Sequence, residues 1–174
     1  MSKSTLSNDI EIDKTPDKLE INSHGSNQFK PNTTVAVVVA YHNKFLLVEE
    51  FEHGKTVYNQ PAGHLESNES LISAIERELK EETGITLSPE YLCGIYYYYR
   101  AAINLYYLRF CFVIELDAIL STQPEDDDII ACHWFTLAEI KEKSTQLRSP
   151  LVLECIEDYL DGKKIPLSHL KSNL

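Results

Sequence analysis

A chain of 174 residues is long enough for one well-packed domain and short for two. Its net charge of −11, from 16 Lys and Arg against 27 Asp and Glu, leaves no basic run to neutralise the phosphates of a nucleic-acid polymer. Apolar residues make up 43%, enough for a core, but no apolar stretch nears the roughly 20 residues that span a bilayer, and the N-terminus has no secretory apolar region. Polymeric nucleic acid and membrane are thereby excluded as partners. A small phosphorylated substrate is compatible with the acidity, because a bound divalent cation inverts the local field of an acidic site. Cys93, Cys111, Cys132 and Cys155 include no C-x-x-C pair, which argues against a zinc site or disulfide framework and for reduced thiols. The expectation is a cytoplasmic monomer.

Residues 1–31, rich in Ser, Asn, Asp and Lys, read as a flexible tail. From residue 32 the texture changes. Residues 33–40 read as a buried strand, 41–44 as a turn, 45–50 as its hairpin partner and 57–60 as a further short strand. A helix follows, with Leu71, Ile72, Ile75 and Leu79 on one face, Asn68 as its expected N-cap and Gly84 at its end. Residues 91–100 and 103–116 read as two long strands around a turn. After the polar segment 121–128, a strand spans 129–135, and Thr136 caps the next helix. An amphipathic helix spans 150–160, with Pro150 in its first turn and Gly162 beyond its end. The domain is expected over 32–162, with a C-terminal tail over 163–174. Strands mixed with a few helices, without regular βαβ alternation, indicate an α+β fold.

The chemistry concentrates in residues 63–85. Glu78, Glu81 and Glu82 have i, i+3, i+4 spacing, so on a helix their carboxylates share one side and repel by a few tenths of a kcal/mol per pair. A cation must compensate them. Glu78 and Glu82 also lie beside the apolar stripe, partly turned toward the protein body. Clustered hard oxygen ligands suit Mg²⁺ or Mn²⁺, which take their remaining positions from water and substrate phosphates, the chemistry of anhydride hydrolysis. Arg77 either orients one of the glutamates or makes a surface ion pair. Gly63 allows close backbone approach, and the Ala62 carbonyl is a further candidate metal ligand.

This segment matches every specified position of G-x5-E-x7-R-E-U-x-E-E-x-G-U, with U aliphatic, and so resembles the Nudix box. The resemblance implies the Nudix fold, an α/β/α sandwich around a mixed sheet, with the box at 63–85 binding Mg²⁺. It makes Glu78, Glu81 and Glu82 metal ligands, directly or through water, and gives Glu69 and Arg77 loop-holding and orienting roles. The stretches 58–66, 107–110, 122–124 and 148–152 resemble the NudJ-type phosphatase branch of that family. The branch implies phosphate release from nucleoside tri- and diphosphates and from hydroxymethylpyrimidine diphosphate. Pyrophosphatases of ADP-ribose, nucleotide sugars or dinucleoside polyphosphates share the same box. A non-catalytic nucleotide sensor is expected to lose metal-ligand glutamates, and this chain keeps all three.

Outside the box, Asp126 and Asp128 match the branch pattern within the acidic run 125–128, which supplies a carboxylate as metal ligand or general base, or is simply a solvated loop. Arg109 interrupts an apolar strand, which suits a phosphate or a buried carboxylate. Arg148 precedes the last helix, where a structural contact competes with substrate. Tyr58, Gln60 and His64 lie near the metal loop as candidate substrate contacts, Glu49, Glu50 and Glu52 as candidate cleft residues. The run of tyrosines 96–99 with Tyr106 and Tyr107 offers either core packing or a face for a ring.

Overall fold

The run Val35-Ala-Val-Val-Val-Ala40 is almost entirely inaccessible, and its alternation divides the molecule into layers. In the computed structural model, which describes residues 28–52 and 54–174, strand β1 (Asn32–Tyr41) pairs in parallel with β6 (Leu105–Glu115) along nine registered positions. Val35, Val37 and Val39 pack against Ala74, Ile75 and Leu79 of helix α1 (Leu71–Thr83). The alternate residues Ala36, Val38 and Ala40 pack against Ile140 of α2 (Leu137–Glu142) and against Leu151, Val152, Cys155 and Ile156 of α3 (Leu151–Leu160). A strand covered on both faces has no solvated side to alternate with, which is why it reads as a continuous apolar run.

β2 (Lys44–Glu52) meets β1 only at the hairpin end, Ala40 with Phe45 and Tyr41 with Lys44, and then diverges. Beyond it β3 (Lys55–Asn59) pairs with β2, and the short β4 (Ala62–His64) pairs with β1 through Thr34–Ala36. β5 (Tyr91–Arg100) flanks β6, and β7 (Ile129–Thr136) pairs with β2, so the sheet is mixed. The α/β/α sandwich and the α+β class expected from the sequence are what the structure shows. The strand β4 was not anticipated: three residues beside Pro61 carry too little pattern.

Two further expectations change, while the thiols are free as expected. The N-cap of α1 is Ser70, whose hydroxyl accepts from Ser73 N, not Asn68, which takes a left-handed φ of 66° in the preceding loop. Residues 163–174 are not a tail beyond the domain: β8 (Ile165–Pro166) pairs with Tyr91 and Leu92, and Leu167 and Leu170 pack on the α1-side core. Cys93, Cys111 and Cys155, distant in sequence, meet as free thiols in the α3-side core. Of the segment expected as an N-terminal tail, residues 1–27 lie outside the described residues.

Thr136 caps α2 as expected, with Glu139 completing a capping box. Gly84 closes α1 at φ 73°, its N–H donating to Lys80 O at 2.7 Å, and a Cβ there would come within 2.5 Å of Gln123 O. No helix among the described residues is long and apolar enough to cross a membrane. Leu79 is fully buried between α1 and β1. Leu79→Ala is expected to lower stability by about 3 kcal/mol, read as a lower urea midpoint at unchanged slope.

Candidate active site

Strand β4 leads directly into the loop before α1 and crosses the helix at Glu78 and Glu82. A Cβ on Gly63 would lie 2.1 Å from the Glu78 carboxylate, so any other residue here would push that carboxylate out of its present position. One residue earlier, Ala62 N–H donates to Glu82 Oε2 at 2.8 Å. Arg77 joins the remaining acidic residues. Its Nε and Nη2 grip both oxygens of Glu69 at 3.1 and 2.8 Å, Nη1 reaches Glu78 Oε1 at 2.6 Å and Glu81 Oε2 at 3.4 Å, and Nη2 also donates to His64 O at 3.1 Å. Glu69 accepts in turn from Glu66 N at 2.6 Å, pinning the loop before the helix. The fork of Arg77 thus closes on Glu69 rather than on one of the three helix glutamates.

The three glutamates differ in environment. Glu81 is open to solvent, Glu78 is mostly covered, and Glu82 is buried at 6% exposure. Burial pushes the Glu82 carboxyl up to about 8, with Glu78 and Asp126 adding to the shift and the Ala62 N–H and Arg109 opposing it. Glu78 is raised too, by burial against the opposing effect of Arg77. Their side chains do not converge on one preformed ligand cage: among the described residues no group of three His, Cys, Asp or Glu side chains has such a geometry. Two of the three are engaged by Arg77 and the third by backbone. The residues nevertheless fit a hard divalent cation, because Glu82 is a buried carboxylate whose hydrogen-bond partner is a neutral N–H.

Residues 121–128 cap the end of α1. Gln123 N donates to Thr83 O at 2.9 Å, and Glu125 N and Asp126 N both donate to Glu81 O, at 2.8 and 2.9 Å. This holds Asp126 close enough to raise Glu82. Asp128 enters the turn through its backbone N–H, which donates to Asp126 Oδ1 at 2.9 Å.

Beyond Gly63 opens a cavity of about 100 Å³, partly open to solvent and rimmed by Ala62, Gly63 and His64. Arg109 of β6 and Thr34 of β1, which are register partners, line it. Asn59, Arg148, Ser149 and Leu151 line one flank, and Tyr98, Arg100 and Tyr107 from the β5–β6 hairpin the other. Arg109 is 9% exposed, and its Nε and Nη1 are buried without a hydrogen-bond partner among the described residues. The other two arginines are engaged: Arg100 forks onto Glu52 at 3.1 and 2.9 Å, and Arg148 pairs with Glu50 and, at 3.9 Å, with Glu52.

Of the substrate contacts expected from the sequence, Arg109 and His64 line this cavity and Tyr58 and Gln60 do not. Tyr58 packs edge-on against Phe135 and His133 in the α3-side core. Gln60 is fully buried, with Nε2 donating to Val152 O at 3.0 Å. Their proximity to the metal loop in sequence misled, because the strand turns these side chains into the core. Glu50 and Glu52 restrain the cavity arginines, while Glu49 pairs with His133 at 2.6 Å. Sequence reading passed over Thr34, Asn59, Arg100 and Ser149; for Asn59 and Ser149 the available signal was their place in the stretches 58–66 and 148–152.

A carboxyl raised to about 8 ties stability to pH. The folded protein holds that proton more tightly than the unfolded chain, where glutamate titrates near about 4.3. The contribution is therefore complete below that value and lost as pH rises toward about 8. The thermal midpoint of metal-free protein should fall between about pH 5 and pH 8, and Glu82→Gln should flatten the fall; an unchanged slope in the variant would remove Glu82 as its source.

Comparison with known proteins agrees with this geometry. The NUDIX domain family model matches residues 30–155. "Phosphatase NudJ" of Escherichia coli strain K12 is 49% identical over 139 residues, covering 80% of this chain and 90% of the relative. A NUDIX hydrolase from Nitrosomonas europaea superposes with a TM-score of 0.77 at 45% identity, over 82% of this chain and 97% of that one. A bifunctional NMN adenylyltransferase/ADP ribose pyrophosphatase from Francisella tularensis, solved with AMP and a manganese ion, superposes with a TM-score of 0.63 at 25% identity, over 79% of this chain and 43% of that one. With its carboxylate helix, its loop-holding arginine and these relatives, the chain belongs to the Nudix family and is a NudJ-like Nudix hydrolase.

Proposed function

We propose that this protein cleaves phosphoanhydride bonds of small phosphorylated compounds with Mg²⁺ or Mn²⁺, releasing phosphate from nucleoside tri- and diphosphates, with hydroxymethylpyrimidine diphosphate as a further candidate. The observation that carries the reading is the position of Gly63. On one side it touches Glu78 and on the other it rims a cavity containing an arginine with unpaired N–H groups. A phosphate chain lying across Gly63 would meet both. The likeness to proteins named phosphatase supports release of phosphate, and a manganese ion in a related structure supports the divalent metal.

Glu78 and Glu82, with Glu81 through water and the Ala62 carbonyl, would hold the cation, which when bound neutralises phosphate oxygens and lowers the pKa of water. The chain's own groups supply the rest. Arg109 donates to a non-bridging phosphate oxygen, a charge-assisted bond in a buried setting. Arg77 fixes the rotamer of Glu78 and the loop above it through Glu69. Asp126, whose backbone N–H caps Glu81 O, would accept a proton from the attacking water, and the Asp128 N–H bonded to its carboxylate would steady it.

The test is phosphate and pyrophosphate release, with and without Mg²⁺, from nucleoside tri- and diphosphates, hydroxymethylpyrimidine diphosphate and ADP-ribose. Metal-dependent phosphate release is expected, reduced at least about 100-fold in Glu82→Gln and in Arg109→Ala. Cleavage of ADP-ribose alone would replace the phosphatase reading with a pyrophosphatase. Nucleotide binding without turnover would replace it with a sensor.

A further inference from the structure

The cavity beside the box contains more unpaired polar atoms than phosphate binding requires. Besides Arg109, the carboxamide oxygen of Asn59 and the hydroxyls of Thr34 and Ser149 are buried without a hydrogen-bond partner among the described residues, and all three residues line the cavity. Asn59 is 2% exposed. Each such group costs free energy when left unpaired, and native structures retain few of them. Several in one cavity indicate a ligand that supplies the missing partners.

Two of these groups come from distant parts of the chain and are brought together deliberately. Asn59 ends β3 and Ser149 sits just before α3, and Arg148 N donates to Tyr58 O at 2.9 Å, fastening the two segments side by side. From the opposite flank come Tyr98 and Tyr107, direct cross-strand partners. The cavity, of about 100 Å³, is partly open to solvent, so a ring can enter it edge-first.

We propose that Asn59 and Ser149 are specificity-determining residues that hydrogen-bond the edge of a heteroaromatic ring carrying the phosphate chain, with Tyr98 and Tyr107 supplying the apolar wall beside it. The proposal rests on the hydrolase reading above. A carboxamide offers an acceptor and donors together, so it pairs with a ring edge on which an N–H adjoins a ring nitrogen or carbonyl. Thr34, beside Arg109, lies nearer the phosphate end. A site built to bond such an edge rejects analogues that lack it, because its buried groups are then left unpaired.

The experiment uses the full chain with Mg²⁺ and compares kcat/KM for CTP and UTP in wild type, Asn59→Leu, Asn59→Asp and Ser149→Ala. Affinity for inorganic tripolyphosphate, which has no ring, is measured by calorimetry in Ca²⁺. Asn59→Leu should lower kcat/KM on the better nucleotide about 10- to 100-fold, at least about tenfold more than it weakens tripolyphosphate binding. Asn59→Asp should change the CTP-to-UTP ratio by about tenfold, and Ser149→Ala should lower kcat/KM in the same ring-dependent way if Asn59→Leu does not fold. Equal losses on nucleotide and tripolyphosphate, or an unchanged CTP-to-UTP ratio, would overturn the assignment while leaving the hydrolase standing. A wild-type protein that turns over no nucleotide would remove the hydrolase reading, and this one with it.

Discussion

The crossing of β4 over α1 is the constraint on which the rest of the structure depends. At this point a strand backbone, a glycine, the buried carboxylate of Glu82 and the half-buried one of Glu78 occupy one small volume, tied by the bond from Ala62 N–H to Glu82. If β4 were displaced, the N–H facing Glu82 would be lost and the loop to Ser70 would have no fixed origin. Because β4 also pairs with β1, the position of the carboxylates is referred directly to the central strand of the sheet. The active-site geometry is in this sense a property of the core.

The same region departs from what stability alone would select. A carboxyl is buried until its pKa reaches about 8, and buried polar atoms of the cavity-lining residues Arg109, Asn59, Thr34 and Ser149 stay unpaired. Groups of this kind cost free energy in the isolated protein and are recovered by a cation or ligand that pairs with them. The hydrophobic layers on both faces of β1 offset that cost. The acidic excess of the chain is consistent with the arrangement, since two of the cavity arginines, Arg100 and Arg148, are paired with Glu52 and Glu50.

Those arginines play unequal parts. Arg77 works inside the box, its Glu69 partner held below the usual carboxylate range chiefly by the bond between them. Arg100 and Arg148 are restrained by Glu52 and Glu50, which makes them walls more than free anion receptors. Arg109, flanked by strands on both sides and lacking partners on Nε and Nη1, is the cavity guanidinium whose hydrogen-bonding capacity remains open. One residue type thus serves as orienting clamp, structural strut and unpaired cavity guanidinium, the differences arising from which acidic side chains the sheet brings alongside.

The sequence determined the elements whose pattern is local. The apolar run of β1, the stripe of Leu71, Ile75 and Leu79, the glycine ending α1, the Thr136 cap and the spacing of Glu78, Glu81 and Glu82 follow from 2.0- and 3.6-residue periods and from cap chemistry, and the structure shows all of them. Only the tertiary structure decided what depends on non-local pairing. It made the short β4 a strand, moved the N-cap to Ser70 and drew residues 165–166 onto the edge of β5. It turned Tyr58 and Gln60 into the core while setting Asn59 and Ser149 in the cavity wall, and it separated Glu82 from Glu81 by burial although they are neighbours on one helix. Periodicity gives the face of an element a side chain occupies; which other element covers that face, and so which charges are buried or free, is set by contacts between residues far apart in the chain.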